Sequence, residues 1–98
     1  MTEEEVFERN LTLSIEFSRY LLEHPEFAAS LPPHAHVVLL PKDDPELYAI
    51  NLKGAQVHRE RGEDSQIVFV EIEGLVPARS RLLRPRVTPR PTLRPIPA

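Results

Sequence analysis

Charge and proline are sorted along this chain, and the sorting limits how much of it can fold. Positions 1–75 of the 98 residues hold all fifteen acidic side chains and six basic ones, a net charge of −9. Positions 76–98 hold six arginines, no carboxylate and six of the eleven prolines, a net charge of +6. Proline removes the amide donors that helices and ladders use, so such a stretch is expected to be extended or polyproline-like. The expected organisation is a small α/β body over residues 1–76 and an extended Arg/Pro-rich tail over residues 77–98.

A body of that size buries only roughly 60% of the surface its unfolded chain exposes, which leaves it marginal without a staple. There is no cysteine, so neither disulfides nor thiolate zinc sites contribute. A second subunit is the expected support. The acidic start Met1-Thr2-Glu3-Glu4-Glu5 does not suit a signal peptide, and no apolar run approaches the roughly 18 residues of a membrane span. A cytoplasmic protein without membrane contact is the expectation.

Local signals divide the body into four elements. Thr2 followed three residues later by Glu5 is a capping-box pattern, and glutamates in a first turn suit the positive end of a helix dipole. From Val6 to His24 the apolar residues Val6, Phe7, Leu11, Leu13, Phe17, Tyr20 and Leu21 recur at helical steps and predict one broad stripe able to cover a sheet. Pro25 ends that helix and opens a short second turn through Ala29. Phe17, Tyr20 and Phe27 are expected to serve packing.

After Leu31-Pro32-Pro33, the run His36 to Leu40 predicts a central strand buried on both faces and closed by Pro41. Asp43-Asp44-Pro45-Glu46 predicts a helix start, with either aspartate as cap. That helix is expected to run to Arg61, to bury Leu47, Ile50, Gly54 and Val57 backed by Leu52 and Ala55, and to stop at Gly62. Gln66 to Ile72 predicts a second strand, making a parallel βαβ unit with a right-handed crossover. Two strands alone are too few, so a third strand from Arg79 to Leu83, or the same element of another subunit, is expected to join them.

Three segments carry a family likeness. Leu13 through Phe27 (LSIEFSRYLLEHPEF), Val37 through Pro41 (VVLLP), and Asp43-Asp44-Pro45-Glu46-Leu47 with Asn51-Leu52 together resemble a small bacterial and archaeal family catalogued as a domain of unknown function. The likeness spans about residues 7–75 and implies no reaction, cofactor or catalytic residue.

Candidate chemistry is sparse. Asp43 and Asp44 follow the carboxyl end of the first strand, where α/β sheets place ligands, and two carboxylates could hold magnesium through water; helix capping is the stronger alternative. His34 and His36 have a spacing that permits two imidazoles on one metal, with His24 and His58 as further ligands, although a loop after two prolines favours solvated rings. No nucleophile motif and no Gly-rich phosphate loop is present, and no cofactor is expected.

In the tail, Arg84, Arg86, Arg90 and Arg94 are candidate partner contacts. A solvated appendage that packs loosely on its own acidic body or a neighbour's is the leading reading of the tail. Protein docking in the polyproline mode comes next and outranks nucleic acid, because the tail has no aromatic residue for base stacking and the acidic body would repel a polyanion. The expected function is a non-catalytic, self-associating interaction module. Its rivals are a small partner protein that binds nucleic acid or a toxin through the tail, and a metal-dependent enzyme built on Asp43, Asp44 and the histidines.

Overall fold

The computed structural model describes residues 1–60 and 66–89, in which the elements run α1 (Glu3–Glu23), α2 (Pro25–Ser30), β1 (His36–Pro41), α3 (Pro45–Glu60) and β2 (Ile67–Ile72). The expectations for Arg61, for Gly62 and its turn, and for Arg90 and Arg94 lie outside the described residues. The fold is the expected small α/β arrangement, with β1 and β2 paired in parallel from His36 opposite Ile67 to Pro41 opposite Ile72.

The starts of α1 and α3 follow from a side chain that satisfies an otherwise orphaned amide, whereas α2 starts on Pro25 with no side-chain cap. The Thr2 hydroxyl accepts from the Glu5 amide at 3.1 Å, and Glu3, Glu4 and Glu5 occupy the first turn. At the other end, the His24 amide donates to the Tyr20 carbonyl at 2.8 Å before Pro25 begins α2. Asp44 caps α3: its carboxylate accepts from the Leu47 amide at 3.3 Å, and Pro45 sits at the first helical position.

The strands place two opposite faces by alternation. His36, Val38 and Leu40 with Ile67, Phe69 and Glu71 turn toward α3, and Val38, Leu40 and Ala55 are buried together with Tyr48, Leu52 and Ile67 packed on them. Leu47, 1% exposed, and Leu13 add to this small core. Burying one such leucine stabilises the fold by about 1.5–3 kcal/mol.

Four expectations require correction. β1 is not central, because among the described residues the sheet has two strands, each with a free edge, and Val37 and Leu39 are only half-buried. The inner face of α3 is Leu47, Tyr48, Asn51, Leu52 and Ala55, whereas Ile50, Gly54 and Val57 are exposed. Tyr48 and Asn51 can sit on the inner side because their polar ends find partners there. The apolar residues of α1 form two stripes, not one: Val6, Leu13, Phe17 and Leu21 turn inward, while Phe7, Leu11, Ile15 and Leu22 turn outward. Finally, residues 79–83 form no third strand and are exposed.

Candidate functional site

The free edge of β1 is built by its backbone direction. His36 and Lys42 donate their amides to the Gln66 and Ile72 carbonyls at 2.7 Å, so even-numbered residues of β1 face β2 and odd-numbered ones face away. Pro41 is odd-numbered, and its missing amide therefore costs the ladder nothing. On this free edge the Leu39 carbonyl accepts from the Asn51 side-chain amide at 2.9 Å.

Asn51 also exchanges amide hydrogen bonds with Asn10 of α1, at 2.9 and 3.0 Å. One pair of carboxamides thus ties α1, α3 and the β1 edge together, with both N–H groups of Asn51 donated to defined acceptors. An open cleft of about 610 Å³ lies beside it, lined by Val6, Phe17, Val37, Leu39 and Ile50 among others. Its polar lining consists of the asparagines, Ser14, Ser18 and His36, which supplies hydrogen bonds but no carboxylate or activated nucleophile.

A second latch joins α1 to the start of α3. Arg9 donates to Asp44 at 2.8 Å, and this carboxylate raises the Arg9 guanidinium above its ordinary value, chiefly through the hydrogen bond and then through charge. The terminal amine of Met1 lies 3.0 Å from Glu46, which raises it likewise. These contacts are exposed and add little to stability individually. Asp43 points elsewhere: its carboxylate lies against Gly74, where an added Cβ would meet it at 3.0 Å and push it aside.

The histidines separate into two ring contacts. His36 stacks on His58 with centroids 4.7 Å apart, and His24 stacks on Tyr20 at 3.9 Å. His34 is exposed in a loop with φ 60°, the left-handed region that favours glycine. The ring contacts thus take His36 to His58 and His24 to Tyr20. Among the described residues no group of three or more His, Asp or Glu converges as metal ligands would. Phe17, Tyr20 and Phe27 form an edge-to-face aromatic cluster, with Phe27 6.3 Å from Phe17 and 5.4 Å from Tyr20.

Of the tail candidates, Arg84 and Arg86 are exposed and engage no described acidic partner. Leu82 and Leu83 beside them are 75% and 83% exposed. No described helix is long and apolar enough to cross a membrane. The sequence pattern assigns Phe7 and Leu11 of the outer stripe to the sheet-covering side, and it does not single out Asn10, Ile15 or Leu22. Their signals are a carboxamide within an apolar stripe, and the two leftover hydrophobics Ile15 and Leu22.

A family model, the Family of unknown function (DUF5647), matches residues 5–85. The chain belongs to that family, and the match runs from α1 past β2 into the arginine-bearing segment. No curated protein and no solved structure matches the chain.

Proposed function

We propose that this member of a family of unknown function is a non-catalytic assembly module that acts through copies of itself. The observation that carries this is the outer stripe of α1. Phe7 and Leu22 are 68% and 85% exposed, and Leu11 and Ile15 continue the stripe between them along a helix about 30 Å long. Scattered apolar residues on a surface need no explanation, whereas four aligned on one face of a helix, interrupted only at Ser18, mark a contact surface. The small buried core supports the same reading, since a second copy supplies the burial that one copy lacks.

Light scattering at micromolar concentration is expected to give a mass above the 11.2 kDa of one chain. The double variant Phe7→Ser and Leu22→Ser is expected to lower it to a folded monomer, with helical circular dichroism retained. A parent that stays monomeric and heat-stable defeats the proposal. If that monomer bound oligonucleotides with a steep salt dependence, the exposed arginines of the tail would become phosphate contacts instead.

A further inference from the structure

We infer that residues 78–83 of one copy form the third strand of another copy's sheet, on the outer edge of β2. The inference rests on the self-association proposed above and specifies where part of it occurs.

β2 has β1 as its one neighbour among the described strands. Because even-numbered residues of β2 face β1, Ile67, Phe69 and Glu71 direct their amides and carbonyls to the outer edge. Unpaired edges of this kind recruit further strands. Phe69 is 41% exposed there.

The tail contains one segment able to fill the edge. Ala78 to Arg84 is its longest stretch without proline, between Pro77 and Pro85, and the six residues before the left-handed φ of 43° at Arg84 equal β2 in length. The family match ends at residue 85, just beyond this segment. Antiparallel pairing with Arg81 opposite Glu71 sets Arg79 opposite Glu73 and Leu83 opposite Phe69 on one face. On the other face Leu82 meets Val70. Opposite charges and apolar pairs thus fall together in a single register.

Chain direction favours another copy over the same one. Gly74 passes against Asp43, and Leu75 lines a depression with Leu13, Pro41 and Leu47, so the chain leaving β2 crosses toward β1 and α1. This is the side opposite the open edge. A hairpin back onto the same β2 would have to vacate that seat.

The chain has no cysteine, so two full-length single-cysteine variants test the register directly. Ile72 and Ser80 form a non-hydrogen-bonded pair in it, the geometry that brings Cβ atoms within disulfide reach. A mixture of Ile72→Cys and Ser80→Cys is expected to oxidise to a covalent heterodimer, which neither variant forms alone. Leu83→Pro removes an amide aimed at β2 and is expected to weaken self-association at least about tenfold while circular dichroism is unchanged.

Each result decides. Parent protein that remains monomeric overturns both proposals. Parent protein that associates, with no cross-link in the mixture and no effect of Leu83→Pro, overturns the strand exchange and leaves the assembly reading standing. A doubly substituted chain that closes only within itself shows a hairpin and likewise overturns the exchange.

Discussion

The two long helices have similar apolar content but are held in different ways. α3 lies on the sheet because both its ends are tied to strands, and its contact is mainly apolar, with Leu47 and Ala55 buried and Leu52 beside them. α1 precedes the βαβ unit and reaches it through Leu13 and through polar latches, Asn10 on Asn51 and Arg9 on Asp44. Burial of side chains sums to a large stabilisation, whereas exposed ion pairs contribute little. The difference teaches that α3 is a structural helix, while α1 is a helix placed with an apolar side to spare.

The largest expected contrast comes from truncating one apolar residue on each helix. Leu47→Ala should destabilise the fold by about 2–5 kcal/mol, through lost transfer energy and the cavity left behind. Phe7→Ala should alter folding within about 0.5 kcal/mol at concentrations below self-association. Chemical denaturation of both variants measures the gap. Equal losses would show that α1 is packed as tightly as α3 and would erase the comparison.

Next in size is the carboxamide latch. Asn51→Leu leaves the Leu39 carbonyl and the Asn10 amide without their partner, and should cost about 1–3 kcal/mol. Adding Asn10→Leu should return part of that loss, because two leucines replace a half-satisfied pair. A double-mutant cycle in denaturant gives the coupling. Strictly additive losses would mean that α1 is not held there.

The sequence made the elements legible where local chemistry decides them: Thr2, Pro25 and Asp44 each mark a helix boundary by an amide that must be satisfied or cannot be supplied. The parallel pairing of β1 and β2 followed from their connection through α3. Which side of each helix turns inward did not, because Phe7 and Val6 are equally apolar and periodicity alone cannot separate adjacent stripes. The latch was hidden for a related reason. A carboxamide reads as surface until a second one and a free strand edge are brought opposite it in three dimensions. The histidines carried no such ambiguity of type, only of place: a two-residue spacing permits a shared metal, and in the structure His34 lies in a loop at positive φ while His36 stacks on His58.

A smaller effect separates the two adjacent aspartates. Asp44→Ala removes the cap of α3 and should cost about 1 kcal/mol, whereas Asp43→Ala caps nothing and should change stability within about 0.5 kcal/mol. Thermal unfolding distinguishes them. A larger loss at Asp43 would mean that its contact with Gly74 holds the chain leaving β2 more firmly than the cap holds α3.

The smallest effect appears at high pH and belongs to α3 alone. Tyr48 on α3 donates its hydroxyl to the Glu71 carboxylate of β2 at 3.0 Å, bridging helix and sheet. That hydrogen bond, followed by partial burial and the carboxylate's charge, raises the Tyr48 phenol above its ordinary 10.0. Ionisation would remove the donated proton and set two negative groups together. Because the folded value lies above the unfolded one, the contribution is fully present below pH 10 and is lost as pH rises through the raised value. With Tyr20→Phe, Tyr48 is the remaining tyrosine, and tyrosinate absorbance then reports it alone. Its midpoint should lie above that of free tyrosine and fall back in a further Glu71→Ala variant. A midpoint at the ordinary value in both would show that the bridge does not persist in solution, leaving α3 held to β2 by apolar contact and, in that one respect, less firmly latched than α1.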